Sequence, residues 1–349
     1  MNYFWALLGW IWSRKLFFGV ILSSTLLFFA WFFPYSDLSD LVTSTVSTRT
    51  NGQVYLQFET MDLHFIPQPA VSATRVSVET ALPPLEAKWA KFTPHLMGIL
   101  FSLPTAIKAS NGDLEAMRSL NSKLGGSFEA EGLWGGDVSV SVRSGVKSEQ
   151  GRERSRVSLM LSRVNLGEVQ KWSDLPVKMQ GQINAESEMN FSLDMQEQPE
   201  GEFLVRITKF AIPASTVMVP MGEANLPVNI PSVTLANVLL KGHLNNGTLN
   251  IEEGAFGNSK DPISGRIKGQ MGMKLQQMGS GVMPLFGSYN LTVELKTSSL
   301  IEKELGFAFL TLSPAKTATP EGGGHYLFRA TGQGIGMAYL PNVMRISSF

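Results

Sequence analysis

The chain contains no cysteine. That excludes disulfides, thiolate zinc sites and thiol nucleophiles, and it leaves the compartment open because many exported proteins also lack cysteine. Histidine is scarce: His64, His95, His243 and His325 are the only four. None lies within four residues of another, so H-E-x-x-H and similar ligand spacings are absent. An excess of charge is missing too, with 29 Lys and Arg against 29 Asp and Glu. With no basic stripe to offset that balance, nucleic acid is excluded as a partner. Continuous helical periodicity is confined to a few places. What the chain does have is 33 glycines and recurrent Val, Thr, Ile and Phe, the composition of a mainly β protein.

Its one long apolar run is near the start. From Leu16 to Ser36 the sequence reads LFFGVILSSTLLFFAWFFPYS, without a charge. About 20 helical residues rising roughly 1.5 Å each match a bilayer core of about 30 Å. The run predicts a transmembrane helix over 16–36. Its apolar surface is built by Leu16, Phe17, Phe18, Val20, Ile21, Leu22, Leu26, Leu27, Phe28, Phe29, Trp31, Phe32 and Phe33. Arg14 and Lys15 precede it, and Asp37 and Asp40 follow. The positive-inside bias therefore keeps residues 1–15 in the cytoplasm and sends the remainder across the membrane. A cleaved signal peptide fits less well, because the run exceeds an h-region and no A-x-A-like site follows. No second span of that length appears. The expectation is a single-pass protein with a linker over 37–51 and a β-rich domain over 52–349 on the far side of the membrane.

Alternation marks the strands. Val54, Leu56 and Phe58 share one face, and the phase then shifts to Met61, Leu63 and Phe65, which predicts a bulge or register change. Strand patterns recur at 74–80, 127–144, 156–166, 181–195 and 202–212, the last two joined through QEQPEG. GEVQKW after residue 166 reads as a helical turn. Residues 82–103, LPPLEAKWAKFTPHLMGILFSL, break the alternation and predict one or two short helices stopped by Pro94 and Pro104. A proline-rich passage, 213–231, precedes four further β-patterned stretches. Glycine, one variable residue and an aliphatic recur at Gly52, Gly136, Gly181, Gly242, Gly247 and Gly265. The intervals are irregular, so the pattern is a meandering antiparallel sheet rather than a strict solenoid.

Candidate chemistry reduces to scaffold under inspection. GGGH at 322–325 and GQGIG at 332–336 complete neither a P-loop nor a dinucleotide fingerprint. Ser313–Lys316 fits S-x-x-K, the Ser-Lys pairing of some hydrolases, but its partner motifs are missing and Pro314 opposes the helical turn that would align the two groups. Glu252 and Glu253 are sequential, so regular strand geometry sends them to opposite faces. EQGRERSR at 149–156 reads as a solvated turn. No catalytic residue, metal site or cofactor is called for, and the working parts are expected to be surfaces or a groove.

One stretch carries a family likeness. GTLNIEEGAFGNSKDPISGRIKG, from Gly247, resembles the C-terminal signature of the type II secretion system protein N family. SYNLTVELKTSSLI is similar to that family's next strand. LMGILFSLPTAIKASNGD and GGSFEAEGLWGGDVSV resemble its short apolar helix and double-glycine strand. That family is similar in turn to AsmA-like proteins, whose elongated antiparallel sheets curl into an open trough with an apolar inside. The resemblance implies a non-enzymatic inner-membrane accessory of the type II secretion system with a periplasmic β-rich domain over 52–349, partnered by the bilayer and by other secretion components. The runner-up is intermembrane transfer of phospholipid through an apolar groove. Leu249, Ile251, Ile267, Met271 and Met273 are the expected lining, and methionine suits irregular acyl chains. The methionines at 271, 273, 278 and 283 and the tail EGGGHYLFRATGQGIG depart from the family pattern.

Overall fold

The computed structural model describes residues 38–49, 54–64, 68–79, 83–95, 125–147, 153–171, 178–192, 197–221, 224–278, 281–306, 312–318, 323–333 and 342–349, with Ile21, Ser24, Gly52 and Phe309 as single positions. The predicted anchor residues and the flanking Arg14 and Lys15 lie outside the described residues, except Ile21, which is helical and exposed. Among the described residues no helix is long and apolar enough to cross a membrane. The stretch expected to be a polar linker contains a helix, α1 (Leu38–Arg49), with Asp40 in its first turn.

The rest is mainly β. Strands β1 (Tyr55–Gln57) and β2 (Thr60–His64) both pair antiparallel with β3 (Ala70–Glu79). Tyr55 stands opposite Glu79 and Thr60 opposite Thr74, one continuous register. The phase change expected before Met61 falls at the break between β1 and β2. There Glu59 pairs with Arg75 at 3.1 Å, and Arg75 holds a left-handed φ of 49°. The helices expected over 82–103 are corrected for the described part: residues 85–94 form β4 (Leu85–Pro94), paired with β3. Residues 96–103 lie outside the described residues.

Hairpins follow in order: β5 (Gly125–Leu133), β6 (Gly136–Lys147), β7 (Glu153–Asn165), β8 (Gln180–Phe191) and β9 (Glu200–Ile212). The helical turn expected after residue 166 is α2 (Leu166–Gln170), capped by the Asn165 side chain, which accepts from the Gly167 amide at 2.9 Å. The proline-rich passage, where sequence alone suggested no strands, forms a separate hairpin of β10 (Ser215–Met221) and β11 (Ala224–Ile230). The main sheet resumes with β12 (Val233–Asn245), β13 (Thr248–Phe256), β14 (Ile263–Met278) and β15 (Gly281–Thr297). After α3 (Ser299–Glu304) come β16 (Lys316–Ala318), β17 (Gly324–Gly332) and β18 (Asn342–Arg345). The result is one 16-stranded antiparallel sheet in the order β1-β3-β4-β5-β6-β7-β8-β9-β12-β13-β14-β15-β17-β16, with β2 on β3 and β18 on β17.

Bulges explain why the sequence alternates only in pieces. In β7 the register shifts between Leu161 and Val164, with Arg163 at φ 57°. In β13 it shifts between Ile251 and Gly254, and in β15 the three steps from Phe286 to Tyr289 match two on β14, from Met273 to Met271. In β9, Lys209 holds φ 53° between Ile207 and Phe210. Each bulge inserts polar or small residues and returns the next apolar residue to the same face. An i, i+3 apolar step results, such as Leu161 to Val164 in β7, and this spacing imitates a helix; the same step from Ala87 to Ala90 in β4 falls opposite left-handed Arg75 without a shift of register.

Glycines serve these irregularities. Gly247, with φ 73°, closes the β12–β13 turn after Asn246 at φ 49°. At Gly242 a Cβ would lie 2.1 Å from the Asn250 carbonyl oxygen. Gly242→Val is therefore expected to destabilise the full chain by about 2–3 kcal/mol in urea unfolding followed by tryptophan fluorescence. Gly287→Ala, where the nearest atom is 3.7 Å away, is expected to change stability little.

Candidate functional site

Cross-strand partners share a face, so the register sorts the whole sheet into two surfaces. One row runs Met61, Ala73, Ala90, Ala130, Val138, Leu161, Ala185, Val205, Leu240, Gly254, Ile267, Val293, Phe328. It crosses thirteen strands without a polar side chain. The next row runs Leu63, Val71, Phe92, Phe128, Val140, Leu159, Ser187, Phe203, Gly242, Ile251, Gly269, Leu291, Ala330, with Ser187 its one polar member. On the reverse face, Ser139, Ser141 and Ser158 stand beside Glu186, Glu188 and Glu202. They border an open cleft of about 590 Å³ that Met160 and Leu204 also line. Ion pairs stitch this reverse side: Arg163 to Asp137 at 2.7 Å, Arg156 to Glu188 at 3.2 Å and Lys241 to Glu252 at 3.3 Å. Exposed pairs of this kind contribute little stability, and their larger effect is to define which side faces water.

The five residues expected to line a groove all belong to the apolar face. Leu249 stands opposite Met271, Ile251 opposite Gly269, and Ile267 opposite both Gly254 and Val293. Met273 stands opposite Phe286. Ile251 is buried and the other four are half-buried. The expectation that Glu252 and Glu253 point apart by simple alternation is corrected. Both occupy the β13 bulge and both are exposed, because two residues there oppose one step of each neighbouring strand. The Glu252 carboxyl lies below its usual range, held there by His243 at 2.9 Å and by Lys241.

Part of the apolar face has a local cover. α3 and the residues after it lay Ile301, Leu305, Phe309, Leu312 and Ala315 against Val233, Leu235, Tyr326 and Phe328. Phe309 stacks on Tyr326 with ring centroids 5.4 Å apart. A polar clamp holds this cover. Glu302 accepts from the Tyr326 hydroxyl at 2.6 Å, the Lys316 ammonium at 2.6 Å and the Thr297 hydroxyl at 3.0 Å. Burial alone would raise the Glu302 carboxyl, but these donors outweigh it and hold the group below its usual range. Burial, reinforced by Glu302, pushes the Tyr326 phenol well above its ordinary value. The sequence carries no local signal for this clamp, whose members lie up to 29 positions apart. Away from the cover, Phe92, Phe128 and Phe286 are 49%, 38% and 44% exposed, and Val140, Leu159, Phe203 and Val205 are half-buried.

A second polar cluster corrects the reading of 149–156 as a solvated turn for residues 153–156, which belong to β7, while 149–152 lie outside the described residues. Arg154, only 10% exposed, donates to Glu197 and Glu200 at 2.6 Å each and fastens the β8–β9 connection to β7. A cluster of charges in sequence looks solvated until its partners, 43 and 46 positions away, are brought to it. The Ser-Lys pair does not assemble as the hydrolase pattern requires. The Ser313 hydroxyl donates to the Phe309 carbonyl and the Lys316 ammonium to Glu302. Among the described residues no three His, Asp or Glu converge on a metal position.

No family model, curated protein or solved structure matches the chain. The two faces of the sheet therefore carry the functional argument.

The clamp makes the cover sensitive to acid. Because the folded Glu302 carboxyl is depressed, its contribution is present above the ordinary value of 4.5 and is lost as pH falls through the lower folded value. The urea midpoint is expected to decline as pH drops from about 5 toward 3. Glu302→Gln is expected to flatten that decline, leaving the shares due to Glu294, where burial is outweighed by Arg266 and His325, and to Glu252, held down by His243 and Lys241. An unchanged slope in the variant would remove Glu302 from the account.

Proposed function

We propose that this protein shelters the acyl chains of phospholipids along the apolar face of its sheet, tethered to the inner membrane by the 16–36 segment. The supporting observation is the thirteen-strand row that stays free of polar side chains through every bulge. A core between two layers needs apolar residues only where the layers meet. A surface along which chains lie or slide needs them at every step. Strands in a sheet rotate by roughly 20–25° per neighbour, so so many strands wind into a curved trough of the AsmA-like kind that the resemblance implies. Exposed aromatic and aliphatic area of this extent marks a binding surface.

A second reading is an accessory role in type II protein secretion, in which the same scaffold joins other components. One observation favours it. Among the described residues the edge strands at the two ends of the sheet, β1 and β2 at one and β16 and β18 at the other, are not paired with each other. Such edges recruit partners by strand addition.

Photo-crosslinking in the native host, with the probe at Leu249, Ile251 and Met273 in turn, separates the readings. Phospholipid on the probes is the expected result. Crosslinks to protein alone would favour the secretion scaffold, and silence at all three positions would mean that these side chains are plain core.

A further inference from the structure

The reverse face of the sheet is not uniform in charge. Through β5–β9 it mixes signs, with Glu129, Glu131, Glu186, Glu188 and Glu202 set among Arg143, Arg156 and Arg206. Across β14, β15 and β17 it is basic: Arg266, Lys268, Lys274, Lys296 and Arg329 face the same side, and Glu294 is the one carboxylate among them. Glu294 is already occupied, by Arg266 at 2.8 Å, His325 at 3.1 Å and Lys296 at 3.8 Å. Lys268, Lys274 and Arg329 have no carboxylate partner among the described residues. Those three cations thus sit together on the last strands of one face, bordered on β13 by Glu252.

Apolar side chains are interleaved with these cations. The register sets Lys268, Thr292, Arg329 and Met344 in one cross-strand row, and Met344 is 54% exposed. Leu285, 47% exposed, stands opposite Lys274. The Phe349 ring lies 4.6 Å from the Arg266 guanidinium carbon and 4.4 Å from the Lys268 ammonium. A solvated cationic face has no need of Leu, Met and Phe among its charges. An interfacial surface has, because cations meet lipid phosphates while apolar side chains enter the headgroup layer.

We propose that the polar face of β14–β17 docks on an anionic phospholipid bilayer. The occupant follows from charge complementarity together with the exposed Leu285 and Met344 and the half-buried Phe349 set among the cations. A folded acidic protein would satisfy the cations but gives no use for three apolar side chains scattered singly among them. The surface lies on the opposite side of the sheet from the apolar rows and on its last strands, the end remote in sequence from the 16–36 segment. It is therefore distinct from the acyl-chain surface and stands whether or not that surface carries lipid.

The test uses the full chain in nanodiscs of neutral phosphatidylcholine, presented with separate vesicles of phosphatidylcholine alone or with phosphatidylglycerol added. Co-purification with the discs checks the anchor independently. If the chain does not insert, the anchor reading fails and the same vesicle measurement is made on the chain without discs. The expected result is capture of the phosphatidylglycerol vesicles, weakened by salt and reduced roughly tenfold or more in Lys268→Glu/Lys274→Glu/Arg329→Glu. Leu285→Ser/Met344→Ser, which keeps every charge, is expected to weaken capture without changing its salt dependence. Circular dichroism that matches the parent keeps each variant interpretable. Equal capture of both vesicle types, or capture unaffected by the charge reversals, would overturn the proposal. So would binding to an acidic protein in place of vesicles.

Discussion

Everything in this molecule depends on cross-strand register. A one-residue slip in any strand would turn its apolar set to the polar side, and the strands beyond would lose their partners. The bulges are the devices that prevent this. At Arg163, at Lys209 and at Glu252–Glu253, an extra residue is placed on the polar side and the apolar row continues beyond it. Holding Arg75, Arg163 and Lys209 in left-handed conformations costs on the order of 1 kcal/mol each. Long cations suit those positions because they reach water or a carboxylate, as Arg75 reaches Glu59 and Arg163 reaches Asp137.

From that register follow two unlike surfaces. The apolar one has buried alanines at its start, Ala87, Ala90 and Ala130, and is closed at its far end by the cover around Ile301 and Phe309. Between them the side chains are larger and less buried, which is where an extended apolar guest would fit. The polar one is stitched by exposed ion pairs over its middle, and at β14–β17 Lys268, Lys274 and Arg329 have no carboxylate partner among the described residues. Buried polar chemistry is spent on fastening the structure: Arg154 ties a loop to a strand, and Glu302 ties the cover to Tyr326.

Much of this was legible in the sequence, and the failures have a common cause. Alternation located β3, β5–β9 and β12–β15, and GEVQKW gave α2, because period-two burial and a helix cap are local signals. The misreadings arose where local pattern and register disagree. LEAKWAKF looked helical because Ala87 and Ala90 are three apart, a spacing that here comes from a strand irregularity. Glu252 and Glu253 looked opposed because alternation was carried through a bulge. The five groove candidates fell on one face because β13 and β14 are phased by ordinary alternation around Gly247. Arg154 and Glu302 were missed for another reason: their partners are distant in sequence, and no spacing rule reaches them.

The central claim, an apolar face continuous through the bulges and occupied by acyl chains, is open to a direct measurement. The chain has no cysteine, so single cysteines can be placed one at a time from 138 to 142 and from 159 to 164 in the full chain and spin-labelled. In lipid-containing samples, collision with oxygen should dominate at 140, 142, 159 and 161, collision with neither reagent at 138 and 164, which the fold buries, and collision with a water-soluble nickel complex at 139, 141, 160 and 163. The three-residue step from 161 to 164 is the signature of the bulge. Labels that show no alternation, or labels at 140, 142, 159 and 161 shut off from both reagents, would contradict the account.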